Sequence, residues 1–133
     1  MVEVFESIHK VRSYECDLYG HVNNAVYLHY LEFARMEVLE HKGITLDGLK
    51  ESGFLIVIQR IEIEYKFPAV ALDRLRIITT MDKVLNTSGV FHQQIWRIED
   101  EKEIADAYVT WVVVDLTGRP VRMPRVLKDA FGI

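Results

Sequence analysis

The sequence predicts an α+β fold, in which one long helix packs against one face of an antiparallel sheet. The helix is indicated near residue 24, where strand-like alternation gives way to a hydrophobic repeat of three to four residues. The sheet is indicated by four strand-like segments that follow the helix, because consecutive strands joined by short turns favour antiparallel pairing. A chain of 133 residues fits a single domain over 1–133.

The long helix is predicted over Asn24 to His41. Its apolar residues recur at offsets of three, four, seven and eleven, which places them on one face: Tyr27, Tyr30, Leu31, Ala34 and Val38. Asn23 or Asn24 is suited to the N-cap, and Gly43 is suited to the helix stop. The opposite surface also carries apolar side chains: Leu28, Phe33, Met36 and Leu39. We therefore expect another surface to cover part of it. A short helix is predicted over 45–51.

Five strands are predicted from apolar alternation and from the turns between segments. The first covers residues 2–15, before the helix. The other four lie after it, over 54–67, 74–84, 90–98 and 104–115. The second strand begins as a continuous apolar run and then alternates, and Pro68 ends it because proline cannot donate to a strand ladder.

Composition and charge disfavour several classes of protein. The net charge of −4 disfavours nucleic-acid binding, which needs a concentrated excess of Lys and Arg. No apolar run approaches the ~20 residues of a membrane span, and the first residues do not resemble a signal peptide. The single cysteine, Cys16, cannot form an internal disulfide, which suits a reducing compartment, so a cytoplasmic location is predicted. The five histidines lack the spacing of metal ligands, and no metal site is expected.

The turn before the long helix carries the most unusual residues, Asp17-Leu18-Tyr19-Gly20-His21-Val22-Asn23-Asn24. Backbone N–H groups at a helix start lack intrahelical partners and, with the helix dipole, favour developing negative charge. A carbonyl oxygen held by such groups is polarised, and the carboxylate of Asp17 can then activate water or attack the carbon directly. A carboxylate and a set of free backbone N–H groups at a helix start together suffice for thioester hydrolysis. The same residue types are also common as plain caps and turn formers, so both interpretations stay open at this point.

The run DLYGHVNNAVYLHYLEFAR closely resembles the signature of the hotdog-fold acyl-CoA thioesterases related to 4-hydroxybenzoyl-CoA thioesterase. The shared residues are Asp17, Gly20, His21-Val22-Asn23-Asn24, Tyr27, Glu32 and Arg35. A second match is Ile63-Glu64-Tyr65-Lys66-Phe67-Pro68-Ala69, with Asp73 following. The HVNNAVYL form is most similar to the bacterial fatty acyl-CoA branch of the family.

The resemblance implies a hotdog fold, with a five-stranded antiparallel sheet wrapped around the central helix, and hydrolysis of an acyl-CoA thioester. It gives Asp17 the position of nucleophile or general base, without separating the two roles. The backbone amide near Asn24 takes the carbonyl-polarising position, and His21 and Asn23 shape the site. The residues assigned to substrate binding are Tyr19, Gly20, Tyr27, Lys66 and Arg74. Other candidates for the CoA phosphates are Arg60, Arg76, Arg122, Arg125 and Lys128. No cofactor is expected, because CoA is part of the substrate.

The resemblance also implies self-association, as a dimer with its sheets joined edge to edge or as a tetramer, with active sites at the interface. Two rival functions stay open: hydrolysis of an acyl-carrier-protein thioester, and non-catalytic binding of acyl-CoA. The family's acyl-carrier-protein thioesterases share HVNN but have an Asn two positions before the histidine. This chain has Tyr19 there, so the mechanism assigned to that Asn does not transfer.

Overall fold

The computed structural model describes residues 3–133. The strands are β1 (Val4–Lys10), β2 (Phe54–Tyr65), β3 (Arg74–Val84), β4 (Ser88–Arg97) and β5 (Lys102–Asp115). The helices are α1 (Asn24–His41), α2 (Leu46–Glu51) and α3 (Arg125–Phe131), with a 3-10 turn at Ser13–Glu15. The strands form one antiparallel sheet in the order β1-β3-β4-β5-β2. The predicted α+β fold, a five-stranded antiparallel sheet around one long helix, is confirmed.

Helix α1 has the predicted bounds and buries the predicted face against the sheet. Its five predicted core residues are each at most 3% exposed: Tyr27, Tyr30, Leu31, Ala34 and Val38. The side-chain oxygen of Asn23 accepts a hydrogen bond from the Ala25 amide at 2.9 Å, which makes Asn23 the N-cap. Gly43 follows the helix with a φ of 72°, a conformation that glycine adopts without steric cost.

Strand β1 is shorter than predicted. Its predicted start at residue 2 lies outside the described residues, and it ends at Lys10 rather than at residue 15. The chain leaves the sheet because residues 13–15 form a 3-10 turn, in which the Glu15 carboxylate accepts from the Arg12 amide at 2.7 Å. This turn carries the chain from the end of β1 towards the amino end of α1.

Strand β2 lies at one edge of the sheet and pairs with β5. Its register shifts between Ile58 and Arg60, so Gln59 is an extra residue opposite β5 and forms a β-bulge. The bulge keeps Ile58 and Ile61 on the same face although they are three residues apart. The change in the sequence of β2 from a continuous apolar run to alternation falls at this bulge.

Helix α3 was not predicted from the sequence. It begins after Pro124 and ends at Gly132, which has a left-handed φ of 69°. Leu127 is 1% exposed, and the Phe131 ring packs edge-on against Phe91 of β4 with centroids 6.3 Å apart. Both terminal signals were present in the sequence, but seven residues are too few to establish a helical period.

Candidate active site

The turn between the 3-10 segment and α1 is closed by backbone hydrogen bonds. The Asp17 amide donates to the His21 carbonyl at 2.8 Å, and the Gly20 amide donates to the Asp17 carbonyl at 3.0 Å. Gly20 has a φ of 78°, so a residue with a Cβ would be strained at this point of the turn. The turn is therefore a fixed loop that places Asp17 beside the helix start.

Among the residues that the structure describes, hydrogen-bond donors reach one oxygen of the Asp17 carboxylate and not the other. Its Oδ1 accepts from the Tyr19 amide at 2.9 Å and from the His21 amide at 3.3 Å. No described residue donates a hydrogen bond to Oδ2. The side chain is exposed and lines a cavity of about 360 Å³. The carboxylate is thus oriented by its own loop while one oxygen remains available to a ligand or to water.

The amino end of α1 borders the same cavity through Asn24. The Ala25 amide is taken by the Asn23 side chain, and the Val26 amide donates to the Asn23 carbonyl at 2.9 Å. Within residues 3–133, the Asn24 amide has no hydrogen-bond acceptor. A backbone donor without a partner at the positive end of a helix suits an anionic or strongly polarised oxygen.

Five of the predicted site residues meet at this cavity: Asp17, His21, Asn24, Tyr27 and Lys66. Tyr27 is 3% exposed, and its hydroxyl accepts a hydrogen bond from the Ala69 amide at 3.0 Å. Lys66 forms an ion pair with Glu103, and this hydrogen bond raises the pKa of the lysine. The Lys66 ammonium is therefore partly neutralised before any substrate binds.

Four predicted site residues do not line the cavity. Asn23 is engaged as the helix cap, and Gly20 contributes the shape of the turn. Tyr19 is 85% exposed and points its ring away from the core. Arg74 forms an ion pair with Glu99 at 2.9 Å, at the start of β3.

Three residues on the β2 side of the cavity were missed as site residues: Tyr65, Phe67 and Pro68. Lys102 lies over the Phe67 ring at 4.3 Å from its centroid, which places a second cation near this wall. The sequence contained a signal for these residues, since they belong to the second matching segment, 63–69, in which only Lys66 was selected.

Cys16 precedes Asp17 but is unsuited to act as a nucleophile. Burial raises the pKa of its thiol, and the negative charges of Asp17 and Glu15 raise it further. A thiol in such surroundings remains protonated near neutral pH.

A second cavity of about 100 Å³, mainly apolar, lies beside the middle of α1, and we call it the end cavity. In sequence, the partly buried apolar side chains Leu28 of α1 and Ile61 and Ile63 of β2 lie between the residues of this cavity and those of the cavity beside Asp17. The residues around this end cavity include Met36, Leu39, Ile56, Ile58, Phe91 and Trp111, with Glu32 and Arg35 as polar members.

Two further features bear on function. In the part of the chain that the structure describes, no helix is both long and apolar enough to cross a membrane. Among residues 3–133, no group of three or more His, Cys, Asp or Glu side chains could hold a metal ion.

Comparison with known proteins identifies the class to which this fold and site belong. The family model described as the Thioesterase-like superfamily matches residues 11–131. The chain is 37% identical over 107 residues to the long-chain acyl-CoA thioesterase FadM of Escherichia coli K12, covering 80% of each chain. It is 31% identical over 131 residues to the chloroplastic acyl-acyl carrier protein thioesterase ATL3 of Arabidopsis thaliana, covering 98% of this chain and 69% of the relative. The solved structure of YbaW, a probable thioesterase from Escherichia coli, superposes with a TM-score of 0.84 at 33% identity, covering 95% of each chain.

The chain therefore belongs to the thioesterase-like superfamily, and it is a thioester hydrolase with the hotdog fold.

Proposed function

We propose that this protein hydrolyses the thioester of an acyl-CoA, in the cavity that Asp17 and the amino end of α1 share. One observation carries the proposal: the same cavity is lined by Asp17, whose Oδ2 has no donor among the described residues, and by Asn24, whose backbone N–H has no acceptor among them. The name of the FadM relative, a long-chain acyl-CoA thioesterase, supports this substrate class.

In the proposed reaction, the thioester carbonyl oxygen accepts a hydrogen bond from the Asn24 amide. This bond strengthens as the oxygen becomes negative, and a donor of this kind is worth roughly 3–4 kcal/mol in the transition state. Asp17 either removes a proton from the attacking water or attacks the carbon itself to form an anhydride that water then opens. On both routes one water is consumed, the C–S bond breaks, and the products are a carboxylic acid and the thiol of CoA.

The acyl chain is proposed to lie along α1 and β2, from the cavity beside Asp17 to the end cavity. Eleven residues separate Asn24 from Arg35, so the end cavity lies ~16 Å along the helix from the reacting carbonyl. An extended chain of roughly a dozen carbons covers that distance.

The free edge of β2 supports self-association of two chains. In the described chain no strand pairs with this edge, and the side chains of Val57 and Ile58 are 42% and 44% exposed. Pairing of two β2 strands edge to edge satisfies the backbone groups and covers these side chains. Such pairing places each active-site cavity at the interface, because Tyr65 ends the same strand and Lys66 follows it directly. Light scattering measures the oligomeric state and so tests the proposed self-association. A fully active monomer would contradict it.

The central experiment compares thiol release from acyl-CoA by the wild type and by Asp17→Asn. We expect kcat to fall by roughly 10²–10⁴ with the circular dichroism spectrum unchanged. Asp129→Asn, an exposed carboxylate on α3, is the matched control and should keep the wild-type rate. Wild-type activity in Asp17→Asn would refute the assignment of Asp17.

The same thiol assay separates the rival functions. Equal acyl groups offered on CoA and on acyl-carrier protein determine the preferred donor, a question raised by the acyl-carrier-protein thioesterases among the relatives. Tight binding of acyl-CoA without any release of thiol identifies a binding module instead of an enzyme.

A panel of acyl-CoAs of graded length tests the proposed path of the acyl chain. We expect kcat/KM to rise up to roughly a dozen carbons, and Met36→Trp to shift the optimum to shorter chains by filling the end cavity. Met36→Leu preserves the volume and should retain the wild-type optimum. An unchanged optimum in Met36→Trp would place the acyl chain elsewhere.

A further inference from the structure

A hydrogen bond joins the last residue of β2 to the first residue of α1. The Tyr65 hydroxyl donates to the Asn24 carbonyl at 3.0 Å. The Tyr65 ring is 45% exposed, lies on the cavity wall and contacts Tyr27 with ring centroids 5.4 Å apart. The two bonded residues are 41 positions apart in the sequence, so this contact ties the edge strand of the sheet to the helix start.

The hydrogen bond acts on a peptide unit that is already held from its other side. The Asn24 carbonyl and the Ala25 amide belong to one planar peptide group. The Ala25 amide donates to the side chain of Asn23 at 2.9 Å, while the carbonyl of the same group receives the Tyr65 hydroxyl. With both ends held, this peptide plane has little freedom to rotate, which restrains Asn24, the residue whose own amide belongs to the preceding peptide group.

We propose that Tyr65 is a positioning residue, whose hydroxyl fixes the first turn of α1 so that the Asn24 amide meets the developing oxyanion. This inference rests on the proposed thioesterase activity and adds to it the group that aligns the donor. The Asn24 amide stabilises charge that exists mainly in the transition state, so misalignment acts on kcat rather than on substrate binding.

A purely structural role for Tyr65 predicts a different result. In that case the aromatic ring matters, because it packs against Tyr27 and closes the cavity wall. Removal of the hydroxyl alone then changes little, whereas removal of the ring lowers stability and raises KM. Tyr65→Phe and Tyr65→Leu separate the two roles.

The test measures kcat and KM for one acyl-CoA in the wild type, Tyr65→Phe, Tyr65→Leu and Tyr108→Phe. Tyr108 lies on β5 and stacks on His92, away from the cavity, and its hydroxyl has no hydrogen-bond partner among residues 3–133. It therefore controls for the loss of a tyrosine hydroxyl. We expect Tyr65→Phe to lower kcat by roughly five- to thirtyfold, with KM within about twofold and the melting temperature unchanged. Tyr108→Phe should match the wild type.

Two outcomes overturn the inference: an unchanged kcat in Tyr65→Phe, or a loss confined to KM. Its failure is distinguishable from failure of the proposed function. If the wild type hydrolyses acyl-CoA and Asp17→Asn does not, an unaffected Tyr65→Phe removes only the positioning role. If the wild type releases no thiol, the proposed function itself fails.

Discussion

The guanidinium of Arg35 on α1 donates from Nη1 to Oε1 of Gln93 on β4 at 3.0 Å, inside the protein. Arg35 is 8% exposed, and no described carboxylate lies within 4.0 Å of it. Burial lowers the pKa of Arg35, against a smaller opposing effect from the charge of Glu32. The amide of Gln93 also donates to the Leu31 carbonyl and to Thr79 Oγ1, each at 3.0 Å. One glutamine side chain therefore links the long helix to two strands.

Replacement of Gln93 by Leu should destabilise the protein by roughly 2–4 kcal/mol, because a buried cation loses its acceptor. Urea unfolding monitored by circular dichroism measures the change. The double variant Gln93→Leu/Arg35→Met should recover a large part of the loss, since the buried guanidinium is then no longer present without its acceptor and only the smaller loss at Thr79 remains. Additive losses in the double variant would show that Arg35 and Gln93 do not act as a pair.

Replacement of Gly89 by Ala should destabilise the protein by roughly 1–3 kcal/mol. A Cβ at this position would lie 2.3 Å from Cζ2 of Trp111, whose indole is 3% exposed. Urea unfolding again gives the magnitude. The same change should be made in a Trp111→Phe protein, where the smaller ring removes the clash. There, Gly89→Ala should lower the free energy of unfolding by clearly less. An equal loss with Trp111 and with Phe at this position would rule out the steric clash.

The stability contributed by Glu15 should depend on pH. Burial acts to raise the pKa of Glu15, but hydrogen bonds from the Arg12 amide, His9 and Tyr30 outweigh it and hold the pKa below its ordinary value of 4.5. A carboxyl whose pKa is lower in the folded chain stabilises the fold above the ordinary pKa, and this contribution is lost as pH falls through the lowered pKa.

Glu15→Gln should therefore be less stable than the wild type near pH ~6, and the difference should shrink towards pH ~3. Urea unfolding across this range measures it. Glu37→Gln, an exposed change of the same kind on α1, corrects for the general effect of charge removal. A difference that stays constant over the whole range would contradict the lowered pKa.

Local patterns in the sequence were sufficient for the elements that depend on near neighbours. The bounds of α1 followed from its apolar period and from the cap and stop residues Asn23 and Gly43, and the structure confirms them. The predicted end of β1 was wrong, because the side chain of Glu15 closes a turn that the alternation of apolar and polar residues does not reveal. Helix α3 was missed because it is too short for its period to be visible.

The residues of the candidate site also differ in whether they could be predicted from the sequence. Asp17, His21 and Asn24 lie within eight residues of sequence, so their common turn was visible from spacing and motif alone. The opposite wall, with Tyr65, lies some forty residues later, and its role could not be derived from position in the chain.

By itself, the sequence determined the helix, the alternating strands and the turn that presents Asp17, because periodicity, caps and turns act over a few residues. Only the tertiary structure decided which distant groups meet: the Tyr65 hydroxyl with the Asn24 carbonyl, and the Gln93 amide with the buried Arg35. Such partners are selected by strand order, by the bulge in β2 and by the packing of α1 on the sheet. These are properties of the folded chain as a whole, and no short segment encodes them.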